Sequence, residues 1–184
     1  MLRLRPYRQS DAKIILSWCR DEAAFRRWSA DRYPQYPIEP DDMNRLYQAC
    51  TPESSLQEGF YPMTAFDESG VVGHLILRYT DAALTTVRFG YVIVDDTKRG
   101  RGVGREMLRL ALKYAFDLLQ AEKVTLGVFE NNEQAARCYR AVGFEQVAQE
   151  KPEVCELCGE RWVVQEMALT RAAFRANEIK QNEF

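Results

Sequence analysis

The sequence has few of the features that mark several large classes of protein. It contains a single histidine, His74, in 184 residues, which excludes a zinc site built on several histidines. No apolar run approaches the ~20 residues that a membrane-spanning helix needs. The first six residues are too few and too charged for a signal peptide. We therefore expect a cytoplasmic protein with no membrane partner.

Charge of one sign and paired cysteines are also scarce. A formal net charge of −2 and an isoelectric point near 5.6 give no global basic field of the kind that non-specific nucleic-acid binding requires. We expect no nucleic-acid partner. The five cysteines are an odd number, and without a secretory signal they indicate reduced thiols rather than a disulfide framework.

Cys155 and Cys158 have the C-x-x-C spacing of many metal and redox sites. A tetrahedral zinc site needs two further ligands, and His74 is distant in the sequence. We predict no metal site and interpret Cys158-Gly159-Glu160 as the turn of a hairpin. A thiol or zinc protein built on the two cysteines stays an alternative function.

Length and composition fit one globular domain, because 46% of the residues are hydrophobic and 28% are charged. In the first half, the pattern predicts a strand at 2–6, helices at 11–19 and 41–50, and an extended aromatic, proline-rich loop at 28–40. In the second half it predicts strands at 60–66, 71–79 and 87–94 as an antiparallel meander, a helix at 102–121, a strand at 124–129, a helix at 133–142, and closing strands at 144–154 and 162–169. The tail, 171–184, is either a short amphipathic helix or frayed.

The most informative stretch joins a strand end, a glycine-rich turn and a helix start. Gly100, Gly102 and Gly104 lack the β-carbons that would hold a pyrophosphate away from the backbone. The first amides of the following helix carry the positive end of its dipole, which favours an anion. Basic side chains surround the turn, namely Lys98, Arg99, Arg101, Arg105, Arg109 and Lys113. The segment therefore predicts a pyrophosphate cradle.

Spacing disfavours two other phosphate motifs. A nucleotide P-loop ends in Gly-Lys-Ser/Thr, whereas Arg105 and Glu106 follow Gly104. The dinucleotide fingerprint G-x-G-x-x-G does not match glycines that are evenly spaced by two. ATP hydrolysis and hydride transfer are therefore poor hypotheses for this turn.

The hexad at 99–104 reads R-x-x-G-x-G and resembles the acetyl-coenzyme A loop of the GNAT superfamily of N-acetyltransferases. Residues 126–144 resemble the second signature of that family, L-x-V-x-x-x-N-x-x-A-x-x-x-Y-x-x-x-G-F, with every fixed position filled. The resemblance covers roughly residues 70–170. It implies an α/β GNAT fold, a mixed and mostly antiparallel sheet with a central splayed parallel strand pair flanked by helices. We expect one such domain over 1–170 and a C-terminal tail over 171–184.

The resemblance also implies roles for individual residues, with acetyl-CoA as cosubstrate and no metal. The backbone at Val92, Ile93 and Val94 would bind the pantetheine arm and the acetyl carbonyl. Asn132 would contact the pantetheine arm from the other side. Tyr139 would lie beside the sulfur and donate a proton to the leaving thiolate, because a phenol is mostly protonated at neutral pH. The pyrophosphate would be held by Arg99, Gly100, Arg101, Gly102, Val103, Gly104 and Arg105.

The predicted function is transfer of acetyl from acetyl-CoA to a primary amine, of a protein N-terminus or a small molecule, by direct attack. No general base is assigned, because the strand at 87–92 lacks the carboxylate that some members carry. His74, Glu130 and Glu166 are candidates through ordered water, and an amine that arrives neutral needs no base. The aromatic loop at 28–36 either lines the acceptor site or forms an unspecific lid. A non-catalytic acyl-CoA sensor is the alternative function, and both a monomer and a homodimer are left open.

Overall fold

A computed structural model describes residues 1–50 and 59–182 of the chain. The first half contains β1 (Arg3–Pro6), α1 (Asp11–Ser17), α2 (Glu22–Ser29), α3 (Pro40–Ala49), β2 (Phe60–Asp67), β3 (Gly70–Tyr79) and β4 (Thr86–Val94). The second half contains α4 (Val103–Lys113), β5 (Lys123–Phe129), α5 (Glu133–Ala141), β6 (Glu145–Gln146), β7 (Val154–Leu157), β8 (Glu160–Thr170) and α6 (Arg171–Asn182). The main sheet has the strand order β1-β2-β3-β4-β5-β8-β6, and β7 pairs with β8.

The pairing of β4 with β5 is parallel, while the other described strand pairs are antiparallel. The two strands pair with each other only where residues 86–88 face residues 123–125. Beyond that point both strands continue, but they no longer pair with each other. The mixed sheet with a splayed central pair, predicted from the family resemblance, is confirmed.

A β-bulge in β4 accompanies the separation. Gly90 pairs with Ile76, but Ile93 pairs with His74, so β4 holds one extra residue between these two pairs. Tyr91 lies in this stretch and has a φ of 50°, a left-handed value that few residues other than glycine adopt. A bulge bends its strand and increases its twist. The backbone of residues 90–94 is therefore left without a partner on the β5 side.

Two buried clusters cover opposite faces of the sheet. Neighbouring side chains along a strand alternate between faces, and in β3 Leu75 and Leu77 belong to one cluster while Ile76 belongs to the other. The first cluster packs α4 and α5 on the sheet through Met107, Leu108, Leu112, Ala136 and Tyr139. The second packs α1, α2 and α3 through Ile15, Phe25, Trp28, Met43 and Tyr47.

Three local predictions are wrong. Residues 22–29 form α2, so Trp28 ends a helix instead of opening an extended loop; Asp21 caps this helix by accepting a bond of 2.7 Å from the Ala24 N–H. The helix predicted at 102–121 is α-helical only to Lys113 and continues as a π-helical turn at Tyr114–Leu118. The strand predicted at 144–154 is two short strands, β6 and β7, because only their residues pair with β8.

The ends of the chain also bear on the predictions. The turn at Cys158-Gly159 joins β7 to β8, with φ values of 54° and 74°, as expected for a tight hairpin. Residues 171–182 are helical, which is the first of the two alternatives predicted for the tail. The division of the chain into 1–170 and 171–184 stays a prediction.

A buried carboxylate ties α1 to the edge of the sheet. Asp11 is 2% exposed and accepts bonds of 2.7 and 2.9 Å from the two Nη atoms of Arg5 in β1. It also accepts from the Arg8 N–H at 2.9 Å and from Thr64 Oγ1 of β2 at 2.8 Å. Burial raises the pKa of Asp11, but the bonds from Arg5, Arg8 and Thr64 outweigh it and hold the pKa below its ordinary value.

We predict that Asp11→Ala lowers the free energy of unfolding by about 3 kcal/mol, because Arg5 is left with an uncompensated, partly buried charge. In the wild type this stabilisation is fully present above the pKa of an unfolded aspartate, about 3.9, and is lost as the pH falls through the lower folded-state pKa. Urea unfolding at pH 7 and at pH 3 measures both effects. Asp41→Ala, at an exposed position in α3, is the control and should cost less than about 1 kcal/mol; equal losses for the two variants would contradict the assignment.

Candidate active site

A cavity of about 480 Å³ opens where β4 and β5 separate, a size typical of small-molecule sites, which range over about 300–1,000 Å³. One wall, the α5 side, is formed by Leu126, Val128, Asn132 and Tyr139. The other wall, the α2 side, is formed by Arg27, Trp28, Arg32, Tyr47, Arg78, Arg88 and Tyr91. Because Tyr139 belongs to one face cluster and Trp28 to the other, the cavity passes through the sheet at the gap.

The bulged part of β4 presents backbone groups to this cavity. Val92 lines it, and residues 90–94 have no strand partner on the β5 side. An open strand edge offers N–H and C=O groups to any ligand that can lie beside it in an extended form. On the α2 side, the indole N–H of Trp28 donates to the Tyr91 carbonyl at 2.9 Å, which fixes α2 against the bulge. The predicted residues Ile93 and Val94 follow on the same strand.

The glycine-rich turn has the backbone that the sequence led us to expect. Gly100 and Gly102 have φ values of 78° and 84°, and Gly102 precedes α4 without a side-chain cap. A β-carbon at either glycine would meet no protein atom within 4 Å, so the space in front of the turn is open. A β-carbon at Gly104 would lie 3.4 Å from Cys138 Sγ, and its absence lets α4 approach α5. The turn and the first residue of α4, Val103, can therefore accept an anion.

The basic side chains around the turn divide into two groups. Lys98 is paired with Asp67 at 3.4 Å, and Lys113 with Glu178 at 3.3 Å. The predicted phosphate ligands are exposed and form no ion pair with any described residue; they are Arg99, Arg101 and Arg105. These three are free to contact an anion at the turn.

Asn132 and Tyr139 come to the cavity from α5. The Asn132 side chain caps this helix by accepting from the Ala135 N–H at 3.3 Å, which leaves its NH2 group available for a ligand. Tyr139 is 6% exposed, and its ring meets Phe144 edge-on with centroids 6.1 Å apart. Burial, and to a lesser degree Cys138, raises the pKa of Tyr139 above its ordinary value. The phenol is therefore protonated at neutral pH and can act as a donor.

The three residues considered as bases do not line the cavity. His74 is fully buried, with Nε2 2.8 Å from Tyr47 Oη, and burial lowers its pKa to about 3. Glu166 forms an ion pair with Arg88. Glu130 is exposed beyond the end of β5. The site thus offers no free carboxylate or imidazole from these three positions.

Sequence reasoning did not find the arginines of the α2 side. Arg78 and Arg88 are cross-strand neighbours in β3 and β4, which only the strand register reveals. Arg27 and Trp28 reach the cavity from α2, a helix that was not predicted and whose last two residues lie in the expected loop at 28–40. Of the predicted aromatic loop at 28–36, Trp28, Ser29, Ala30 and Arg32 line the cavity, while Tyr33 is buried behind Tyr91, with ring centroids 6.4 Å apart.

Neither a metal cluster nor a membrane helix is found in residues 1–50 and 59–182. No group of three or more His, Cys, Asp or Glu side chains there could hold a metal ion. Cys155 is buried, whereas Cys158 is exposed at the hairpin turn. None of the described helices has the length and apolar character needed to cross a bilayer.

Comparison with known proteins adds a family and a fold. A family model described as the acetyltransferase (GNAT) domain matches residues 1–145. The spermidine N(1)-acetyltransferase of Escherichia coli K12 is 22% identical over 143 residues, which cover 78% of this chain and 72% of that protein. The spermine/spermidine N(1)-acetyltransferase of Bacillus subtilis is 33% identical over 52 residues, only 28% of this chain and 34% of that protein. The match thus spans about a third of the Bacillus protein.

The solved structures include a spermidine N-acetyltransferase from Vibrio cholerae in complex with CoA and spermine. It superposes with a TM-score of 0.77 at 20% sequence identity, covering 94% of this chain and 97% of that one. At this identity the likeness establishes the fold.

We predict that Gly102→Val abolishes acetyl-CoA binding measured by isothermal titration calorimetry, because the new side chain would occupy the open space in front of the turn. Strain alone would not have this effect. Gly159→Val is a matched control, since Gly159 has a φ of 74° and a β-carbon there would also meet no protein atom within 4 Å. Both variants should lose stability, by about 1–2 kcal/mol, but only Gly102→Val should lose binding. Full binding by Gly102→Val would contradict the cradle.

Proposed function

Because the chain belongs to the acetyltransferase (GNAT) domain family, we propose that it is an acetyl-CoA-dependent N-acetyltransferase whose acceptor is the primary amine of a small molecule. The family assignment made from the two sequence motifs is confirmed. The observation that carries the proposal is the cavity at the gap between β4 and β5, with the glycine-rich turn directly beyond β4. Acetyl-CoA and the acceptor amine would both bind at this gap.

The residues of the α5 side and of the turn fit acetyl-CoA, which supplies an activated thioester. The amides of residues 100–104 and the free guanidinium groups of Arg99, Arg101 and Arg105 would hold its pyrophosphate. The unpaired edge of β4 at Val92, Ile93 and Val94 would pair with the pantetheine arm as an added strand does. The NH2 group of Asn132 would contact the same arm from α5.

The transfer itself needs two things from the protein, donors for the oxyanion and a proton for the thiolate. The neutral amine attacks the thioester carbonyl, a C–N bond forms, and the C–S bond then breaks as the carbonyl is restored. Backbone N–H groups of β4 near Val94 would stabilise the oxyanion formed on attack. Tyr139 would give its proton to the departing thiolate, the new ammonium would lose its extra proton to solvent, and the Tyr139 phenolate would regain a proton from solvent. No protein base is required when the amine arrives neutral.

The small-molecule acceptor is supported by the shape of the site. The whole cavity holds about 480 Å³, and on its α2 side the Tyr91 ring contacts the rings of Trp28 and Tyr47, which form an aromatic wall. The names of two relatives specify spermidine or spermine, which are small-molecule amines. A sensor that binds acyl-CoA without turnover is the alternative, and release of free thiol with any amine excludes it.

We predict that Tyr139→Phe lowers kcat about 100-fold while the dissociation constant for acetyl-CoA stays within about twofold, because only proton donation to the thiolate is lost. The measurement is thiol release from acetyl-CoA with a panel of primary amines, with the acetylated product identified by mass spectrometry. Tyr114→Phe is the matched control, since Tyr114 follows α4 and does not line the cavity; it should leave kcat unchanged.

Two results would contradict this account at different levels. If no primary amine in the panel supports thiol release by the wild type, the proposed transferase function fails and the sensor alternative gains support. If the wild type turns over and Tyr139→Phe is equally fast, the function stands but the role of Tyr139 as acid is wrong.

A further inference from the structure

Two arginines stand side by side on the α2 side of the cavity. Arg78 of β3 pairs in register with Arg88 of β4, and both side chains line the cavity. Directly opposed residues on neighbouring strands have β-carbons about 5 Å apart, and like charges at such positions destabilise a sheet. An arrangement that works against stability and faces a cavity points to a role in binding.

The two arginines differ in their partners. Arg88 is neutralised by Glu166 of β8 through two bonds, Nη1 to Oε1 and Nη2 to Oε2 at 3.0 Å, and its Nη1 also donates to Thr125 Oγ1 at 3.4 Å. Gly127 makes room for this bridge over β5, because a β-carbon there would lie 2.9 Å from Arg88 Nη2. The Arg78 side chain is partly buried and has no hydrogen bond or ion pair with any described residue. Burial, then the charges of Arg88 and Arg32, lowers the pKa of Arg78.

The rest of the lining does not supply the missing negative charge. The described charged residues that line the cavity are four arginines, Arg27, Arg32, Arg78 and Arg88, and one exposed glutamate, Glu153. The carboxylate of Glu166 is already engaged by Arg88. Arg32 pairs with the exposed Asp31 at 3.8 Å. Arg27 and Arg78 are therefore the lining arginines that form no ion pair with any described residue. In a partly desolvated cavity, their positive charge attracts an anion and repels a further cation.

The missing anion does not belong to acetyl-CoA. Arg88, the neighbour of Arg78, precedes Val92, the cavity-lining residue of the open edge, by four residues along β4, which is at most about 13 Å of strand. The glycine-rich turn, where the pyrophosphate is placed, lies beyond Val94. The charges of acetyl-CoA are confined to its nucleotide and pyrophosphate, and its acetyl end is uncharged. Since neither acetyl-CoA nor the described lining residues place an anion at Arg78, an anionic group of the acceptor would supply it.

We propose that the acceptor is a small primary amine that also carries an anionic group, a carboxylate or a phosphate ester, and that Arg78 binds that group. The proposal rests on the transferase function proposed above. The guanidinium of Arg78 offers paired N–H donors that match both groups, and Trp28, Tyr47 and Phe60 provide apolar walls for the carbon chain between them. A polyamine would instead place an ammonium group among the arginines.

The test compares primary amines that differ in whether they carry an anionic group, no second charge or a second ammonium group. One set is 5-aminopentanoate, pentylamine and 1,5-diaminopentane; a second is O-phosphoethanolamine and ethanolamine; a third is L-phenylalanine and 2-phenylethylamine. We expect kcat/KM, from thiol release, to be at least tenfold higher for the anionic member of at least one set. The set that shows the preference distinguishes carboxylate from phosphate. Equal values throughout, or a preference for the diamine, would overturn the proposal.

Arg78→Gln identifies the residue responsible. It should raise KM for the preferred anionic acceptor at least tenfold, leave kcat/KM for the neutral partner of that set within about twofold, and leave acetyl-CoA affinity unchanged. Arg78→Lys should recover part of the loss because it restores the charge without the paired donors. Arg161→Gln, at an exposed position in β8, is the control and should behave as the wild type.

The outcomes separate the transferase function from the role of Arg78. Absence of thiol release with every amine, whatever its charge, rejects the transferase function. Turnover in which Arg78→Gln keeps the wild-type KM for the anionic acceptor rejects only the role of Arg78. Retained acetyl-CoA binding by Arg78→Gln shows that the variant is folded, so that a raised KM reports the lost contact.

Discussion

The parallel contact between β4 and β5 is short, and the arrangement of the site depends on that. Pairing stops after Arg88 and Thr125, although backbone N–H and C=O groups beyond this point still need hydrogen-bond partners. The bulge at Tyr91 turns β4 away and is fixed from behind by the Trp28 indole. As a result, β4 has an open edge inside the sheet at Val92. The cavity at this edge connects the two faces of the sheet.

The two sides of this cavity differ in the chemistry that they offer. On the α5 side, β4, the glycine-rich turn and the N-termini of two helices have backbone N–H groups that would suit an extended, phosphate-bearing molecule. On the α2 side, aromatic rings and arginines surround the space where an acceptor would lie. The bond between Arg88 and Glu166 spans β5 at Gly127, so of these two neighbouring arginines Arg78 is the one with no carboxylate partner among the described residues. The acetyl donor and the acceptor would thus meet at the gap between β4 and β5.

The α5 half of this site could be predicted from the sequence, because its determinants are local. Glycines at 100, 102 and 104 set the turn through their own backbone freedom, and Asn132 and Tyr139 are placed by the spacing of one short helix. The parts that were missed depend on long-range contacts. The helix at 22–29 is stabilised by packing of Phe25 and Trp28 on the sheet rather than by its sequence pattern alone. Likewise, the pairing of Arg78 with Arg88 follows from the register that the connection at 80–85 sets between β3 and β4, and the sequence pattern did not assign that register.

The candidate bases show the same limit. His74 lies within a predicted strand, but the sequence does not reveal that α3 covers it and that Tyr47 Oη forms a hydrogen bond with its Nε2. Glu166 is a candidate base because it carries a carboxylate. Only the order of the strands shows that it lies within reach of Arg88 across β5. Both residues serve packing or pairing, which is consistent with direct attack by a neutral amine.

Amide hydrogen exchange, measured residue by residue with and without acetyl-CoA, tests the central claim most directly. If the gap between β4 and β5 receives the pantetheine arm, protection should rise at residues 90–94 and at 100–105, while the amides that pair β2 with β3 stay unchanged. No change in β4, or protection confined to another edge of the sheet, would contradict the account, because the open edge would then not be where acetyl-CoA binds.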